Sequence, residues 1–492
     1  MDIKELFTKY YFRILAIITL PIVLYSYLKI IFFNDIYTFF GSAILADGFG
    51  GFPANIDIAW ETRPIGNRLI FYTLYKVCSG WYGNDIAFRI ATKLAVAVLI
   101  LIVSWYFAVQ LHKYLTTVNK SAIFLITVLS LLTLHLILLL ETEFFAATLA
   151  FLAIALLLSN NKYANIISGI VMVFIILLKI ITIIFIPMII IAWLLISQEF
   201  NKSKLYLGII GIIGATAAFA VMCVVWFKHF IPDTLLMILL HNRASEPILT
   251  RVFQLLTYSI GMWWFIPVLI IGVTSGVIIF YDLFKSNNIK YASLFILMWL
   301  CTPIAVIIQA EWTTVYHYTG LVIPSVISIL LFLYTHYRTK QEFIFTGIII
   351  IIMCTFIMTC SVWTNTNEHY WDYKLTDAIL METQFKLSDQ PSMLYLDVGI
   401  SSYFIGVPDA CRETYPLIIV RGYTSGLENE PSYQSAKSCL LKYKGDYFIY
   451  DGSIKDPEIA TKINNEYIKV YNGSYNGINY PASNLYQRKG VV

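Results

Sequence analysis

Ten apolar runs recur along this chain, at 14–33, 91–111, 121–140, 144–159, 166–197, 205–227, 259–281, 291–308, 315–334 and 343–363. Most are close to the about 17–25 residues that a helix needs to cross roughly 30 Å of hydrocarbon. That spacing constrains the fold more than any single motif. Composition agrees: only 13% of the 492 residues are charged, against about 25% in an ordinary soluble domain. So few charges cannot clothe such a chain in water, and lipid must cover much of it. The net charge of +4 is too small to imply a nucleic-acid partner. Lys4, Lys9 and Arg13 precede the first run, and no small-x-small cleavage pattern follows it. It reads as an uncleaved first span.

The run 166–197 is anomalous, being about 32 residues long and interrupted by Lys179. Charge bias decides how it is counted. Two spans and a cytoplasmic N-terminus put Lys113, Lys120, Lys162, Lys202, Lys204, Lys285, Lys290, Arg338 and Lys340 in inner loops. Glu141, Glu143, Lys179 and Glu311 then fall in outer ones. A single span would swap the sides of every later loop. The expectation is therefore a polytopic α-helical membrane protein with about eleven spans, its N-terminus inside and its C-terminus outside, in a cell membrane. The half-run 166–178 is short, rising only about 20 Å. It needs a cavity or a thinned bilayer beside it.

The division expected is a membrane domain over 1–363 and a soluble, extracytoplasmic α/β domain over 364–492. The first outer loop, 34–90, holds a glycine-rich turn at 47–52 and an amphipathic interfacial helix from Pro64 to Cys78, with Leu69, Ile70, Tyr72, Leu74 and Tyr75 apolar. In the tail, Met393–Val398, Tyr447–Tyr450, Ile468–Tyr471 and Leu485–Arg488 pattern as strands, and Ser432–Tyr443 and Asp456–Asn465 as helices. No cysteine spacing suggests a metal. Cys411 and Cys439 can pair if the tail lies outside the cytoplasm. Asn472-Gly-Ser474 forms an acceptor sequon, a weak signal.

On this topology the acids Asp35, Asp47, Asp57, Glu61, Glu141 and Glu143 all face outward. A loop acid is ordinarily a solvated surface group. It becomes a general base where its surroundings poise it and a hydroxyl reaches it. Lys179 shares their side. An ammonium between apolar half-runs faces a cavity or a partner, or snorkels to the interface. His241, Arg243 and His317 also fall there, and an arginine grips phosphate through two hydrogen bonds. Tyr316 and Tyr318 fit an interfacial aromatic belt. Acids and cations on one outer face suit displacement at a sugar carbon attached to a lipid phosphate, though composition alone does not prefer this to transport.

Several patterns, in order, resemble the GT-C integral-membrane glycosyltransferases, such as the protein O-mannosyltransferases and the lipid A aminoarabinose transferases. Asn34-Asp35-Ile36-Tyr37 resembles the acidic motif after the first span, and Arg63–Leu69 with Trp81–Asp85 the family's interfacial segment. Glu141-Thr142-Glu143 is similar to the acid between spans three and four. Gly169 to Pro187, around Lys179, looks like the family's broken helix, and Tyr316-His317-Tyr318 to Pro324 like its late span. Tyr403–Pro408 and Leu485–Arg488 resemble its periplasmic domain. The resemblance implies a polyprenyl- or dolichyl-phosphate sugar donor and inversion at the anomeric carbon. The acceptor would be a hydroxyl on a glycan, lipid or protein. It implies Asp35 as base and Glu143 as a second acid near the acceptor or a divalent cation, Mg2+ or Mn2+. Lys179 would contact the donor phosphate. Arg243, His241 and His317 are further phosphate-ligand candidates on the residues themselves, from their place on the same side. Two departures matter. Ile36 stands where many relatives carry Glu and Glu143 where Asp is usual, which leaves Asp57, Glu61 and Asp47 as alternative bases. The rival readings are a polymerase or ligase with lipid-pyrophosphate donors, which would use several arginines in one long outer loop where the outer piece 228–258 offers only Arg243 and Arg251, and a lipid or solute transporter.

Overall fold

The computed structural model describes residues 3–29, 34–48, 50–52, 64–82, 85–138, 141–241, 249–250, 266–309, 315–336, 340–366, 393–396, 411, 417–450, 454–471, 474–475, 478–479 and 484–490. Among these residues the α-helices are α1 (Ile3–Lys29), α2 (Asn34–Gly48), α3 (Ile65–Cys78), α4 (Asp85–Leu111), α5 (Lys120–Leu138), α6 (Thr142–Leu158), α7 (Lys162–Leu178), α8 (Phe185–Ser197), α9 (Lys202–Val225), α10 (Phe230–His241), α11 (Ile266–Lys285), α12 (Ile289–Gln309), α13 (Val322–His336), α14 (Lys340–Thr366), α15 (Leu417–Thr424), α16 (Pro431–Lys442) and α17 (Pro457–Glu466). The chain divides into two compact units. The first comprises 1–31, 81–218 and 244–367, and the second 32–80, 219–243 and 368–492. The second unit thus takes the stretch after the first apolar run and the one around residue 230 together with the tail.

Seven described stretches are long and apolar enough to cross a membrane: Tyr10–Leu28, Ala87–Leu111, Ile180–Ser197, Lys202–Val225, Pro267–Lys285, Ile289–Ile307 and Tyr318–His336. Shorter apolar helices occupy Lys120–Thr133, Thr142–Leu158, Lys162–Leu178 and Ile344–Thr359, each overlapping a run expected to span. The chain is a helical, multi-pass membrane protein.

In the first unit, hydrogen bonds sort the helix termini into two ends. Lys204 Nζ, at the start of α9, donates to Asn160 Oδ1 at 3.1 Å and the Leu158 carbonyl at 3.4 Å, and lies 3.3 Å from the Tyr114 hydroxyl. Tyr291, opening α12, donates to the Gln198 carbonyl at 2.6 Å, and His336 Nε2 lies 3.0 Å from Asp282 Oδ2. Lys113, Lys120, Lys162, Lys202, Lys204, Lys285 and Lys290 all belong to this basic end. At the opposite end Lys93 Nζ donates to the Leu28 carbonyl at 3.1 Å, so the close of α1 meets the opening of α4. Glu143 and Lys179 lie at that end too.

These contacts resolve the anomalous run. The helix α7 leaves the basic end and stops at Leu178, and Lys179 adopts an extended backbone, φ −160° and ψ 137°. A 3-10 turn covers Ile180–Ile184. The chain then returns along α8, because residues beyond Ser197 rejoin Leu158 and Asn160. The run is a helical hairpin with the lysine at its tip. Pro187 falls in the first turn of α8, where a proline costs nothing, whereas in the interior of one long helix it costs about 3 kcal/mol. The α7–α9 crossing is close. A Cβ at Gly169 would strike the carbonyl oxygen of Gly208, and one at Gly211 that of Ile166. Small residues let backbones approach where lipid offers no hydrophobic drive.

In the second unit, 34–48 is helical rather than loop, and Ile36, Phe39, Phe40, Ala43 and Leu45 are buried. The glycines end it: Gly50 N–H reaches the Asp47 carbonyl at 3.0 Å and Gly51 N–H the Ala46 carbonyl at 2.8 Å. This is a Schellman cap, with φ +104° and +73° at the two glycines. The helix expected from Pro64 to Cys78 forms as α3, and the apolar positions Leu69, Ile70, Tyr72, Leu74 and Tyr75 are only half-buried. Asn67, Arg68, Phe71 and Cys78 are buried, with Phe71 wedged 4.9 and 5.0 Å from the rings of Phe39 and Phe40. The tail's strands are β1 (Met393–Leu396), β2 (Tyr447–Tyr450), β3 (Tyr467–Tyr471), β4 (Ser474–Tyr475), β5 (Ile478–Asn479) and β6 (Asn484–Arg488). Four form a mixed sheet in the order β1-β2-β6-β3, with β1 and β2 parallel. Leu236, Ile419, Tyr433, Leu440, Phe448, Ile459, Ile463 and Tyr467 make one buried cluster, so α10 shares the tail's core. Cys411 and Cys439 are disulfide-bonded, as the sequence allowed.

Candidate functional site

The most concentrated polar chemistry in the first unit sits at the hairpin tip. Glu143 lies in the first turn of α6 and Lys179 immediately follows the last residue of α7. The two helices run antiparallel, so the carboxylate faces a positive helix end and the ammonium a negative one. Both placements are favoured by the helix dipoles. Lys179 Nζ donates to Glu143 Oε1 at 2.6 Å, with side-chain exposures of 11% and 3%. Thr182 Oγ1 is within hydrogen-bond reach of the carbonyls of Ile175 and Lys179, satisfying backbone groups that the helix break would orphan. Glu141, just before α6, is also buried.

Beside the pair is a narrow cleft lined by Glu143, Thr182, Phe185, Thr302, Ala305 and Gly320. It leaves about 10 Å³ for the centre of a water-sized molecule, room for roughly one water. Gly320 is required here: a Cβ would collide with Thr302 Oγ1. Anything larger than a water enters this cleft only if the Ile180–Ile184 turn or the Val315–Leu321 turn moves. Among the described residues no three His, Cys, Asp or Glu side chains gather as a metal site requires, and an ammonium already engages Glu143. The described residues do not make a divalent-cation site.

The remaining expected residues fall elsewhere. Asp35 is the second residue of α2, in the second unit, and its side chain lies outside the described set. Asp57, Glu61 and Arg243 lie outside the described residues, as does Tyr403–Pro408. His241 closes α10 and His317 sits in the 3-10 turn Val315–Leu321, their side chains also outside the set. Tyr318 is 2% exposed, a core residue rather than part of an aromatic belt. Asp47 accepts from Lys76 Nζ at 3.0 Å and from the Tyr72 hydroxyl at 3.2 Å. That hydrogen bond and charge raise the Lys76 pKa. These contacts join α2 to α3.

Three buried ionisable residues were not singled out from the sequence. Lys93 is 1% exposed within an apolar run. Arg68 Nη2 lies 4.0 Å from Asp233 Oδ2, and both side chains are buried. Each is an ionisable group in an apolar segment, the same signal that marks Lys179. A scan against protein-family models and a search of curated proteins both return no match.

Proposed function

We propose that this chain is a GT-C-type membrane glycosyltransferase of about eleven spans. Its basic end is cytoplasmic, and its tail is an extracytoplasmic α/β domain. It moves a sugar from a polyprenyl- or dolichyl-phosphate donor to an acceptor hydroxyl, with inversion. The observation that carries the reading is the buried Glu143–Lys179 pair at a helix break, at the end of the bundle opposite the cluster of lysines. Burying an ammonium away from water is costly, and a helix broken solely to present one marks a place where anionic charge is handled. The basic end follows the inside bias of short loops, which puts Lys179 on the outer side. The Cys411–Cys439 bond fits an oxidising, extracytoplasmic tail.

In the reaction, an acid of the first outer segment, Asp35 in the first instance, takes the proton of the acceptor hydroxyl. The hydroxyl oxygen bonds to the anomeric carbon as the bond from that carbon to the lipid-phosphate oxygen breaks. The departing phosphate keeps the electron pair, and Lys179 neutralises it. Glu143 holds the ammonium in place until the donor arrives and shares it afterwards.

The test is sugar transfer from lipid-phosphate donors by the full chain in vesicles, beside Asp35→Asn and Lys179→Met, with glycan mass spectrometry of cells carrying and lacking the gene. Transfer lost in both variants, together with a named sugar missing from the deletion strain, is the expected result. An unchanged glycan profile and no transfer from any lipid-phosphate sugar would overturn the reading.

A further inference from the structure

The geometry points to α10 as a membrane-docking strap: its outer face rests in the bilayer leaflet on the tail's side, while its inner face is built into the tail. The two faces are sharply divided. Asp233 is 2% exposed and Leu236 is fully buried, whereas Ile231 and Leu235, one turn apart, are 59% and 55% exposed. Inward, Asp233 pairs with Arg68 of α3 and accepts from Ser432 Oγ of α16 at 3.0 Å, and Leu236 joins the tail's apolar cluster. The inner face is thus fastened to two other segments of the same unit.

The occupant of the outer face follows from chain continuity. Beyond Lys204 the helix α9 is apolar and almost unburied, with Val221, Val224 and Val225 strongly exposed at its end, as a lipid-facing helix must be. Four residues, 226–229, then lead into α10, so Phe230 lies within roughly 18 Å of Val225. Those residues look like a membrane edge. Trp226 is exposed and meets the exposed ring of Phe52 at 6.5 Å, and Lys228 is exposed beside it. Aromatic rings and snorkelling cations concentrate at the headgroup level. The ridge Phe52, Trp226, Ile231 and Leu235 therefore continues the lipid-facing surface of α9, and an amphipathic helix so placed lies in the interface plane.

The test places a photoreactive benzoyl-phenylalanine at Ile231, at Leu235 and, as a reference, at the exposed Glu458 of α17, each in the full chain in phosphatidylethanolamine–phosphatidylglycerol vesicles. With a face sunk about 5–10 Å into the headgroup boundary, roughly tenfold more lipid adduct is expected at 231 and 235 than at 458. Hydroxyl-radical oxidation of the unmodified chain in the same vesicles gives a second reading, in which residues 231 and 235 are protected relative to 458. Equal lipid adducts at the three positions, adducts at 231 and 235 to protein alone, or oxidation of 231 and 235 as heavy as at 458 would each overturn the proposal.

Discussion

Lys179 Nζ and Glu143 Oε1 are 2.6 Å apart at the tip of a helical hairpin, although 36 positions separate the two residues in the chain. The pair joins the last turn of α7 to the first turn of α6, and it sits where the chain gives up helix geometry. A buried ion pair is weak evidence for stability as such, since neutral packing often does as well. Its location makes it informative.

Stability and turnover should separate at this pair. Glu143→Gln or Lys179→Met alone leaves one buried charge uncompensated, and each is expected to lower stability by about 3–5 kcal/mol. Combining them removes both charges and should recover most of the loss in thermal unfolding of the detergent-solubilised protein. Sugar transfer should stay low in all three variants. A double variant that regains both stability and transfer would make the pair a structural staple only.

The hairpin predicts a proximity that a straight helix forbids. Cysteines at Asn160 and Lys204 should be joined by a short bifunctional thiol reagent, with the linked peptides identified by mass spectrometry. If 166–197 crossed once, the two positions would lie about 30 Å apart on opposite sides of the bilayer, and no link would form.

Glycines on α9 should differ sharply in their tolerance of a methyl group. Gly211→Ala forces the Cβ into the Ile166 carbonyl and should cost about 1–3 kcal/mol by pushing α7 and α9 apart. Gly214 has nothing within 4 Å of its would-be Cβ, so Gly214→Ala should leave the melting temperature unchanged or raise it slightly. Equal effects at the two sites would contradict the close crossing.

In the tail, Asp456 caps α17 by accepting from the Glu458 N–H at 3.0 Å, and it also accepts from the Tyr433 hydroxyl at 2.7 Å and Lys437 Nζ at 2.9 Å. Burial pushes its carboxyl pKa up, but the hydrogen bonds from Lys437, Tyr433 and the Glu458 amide outweigh that and hold it below the ordinary value. A depressed acid contributes stability above its unfolded pKa of about 3.9, and loses it as pH falls through the folded value. Asp456→Ala should therefore cost about 2–4 kcal/mol at neutral pH, from the lost cap and the stranded Tyr433 and Lys437. The gap to the parent should narrow below about pH 4, read by limited proteolysis of the tail across a pH series.

Much of the fold is legible in the sequence because its signals are local. Run length marks the spans, and the short run of aromatic and β-branched residues Tyr447-Phe448-Ile449-Tyr450 marks β2. The motif Asp456-Pro457 announces the start of α17, since the side chain caps and the ring presets φ. Other elements were hidden for equally physical reasons. The segment 34–48 carries Asp35 and Asp47 and ends in glycines, so it patterns as loop, yet Phe39 and Phe40 close on Phe71 and hold it helical. The protein-facing side of α3 is not legible in the sequence, because Arg68 is polar and its buried partner Asp233 lies 165 positions away along the chain.

The sequence alone determined that this chain needs a membrane, because apolar runs of spanning length and a shortage of charge are properties of composition and order. It also determined that Lys179 is exceptional, because one ammonium inside 32 apolar residues is visible without coordinates. Charge bias already divided 166–197 into two spans meeting at that lysine. Only the tertiary structure decided what holds the tip: the Glu143 carboxylate against Lys179 and the return of Lys204 to Asn160. Such contacts are set by packing between segments far apart in sequence, where local preference carries no information.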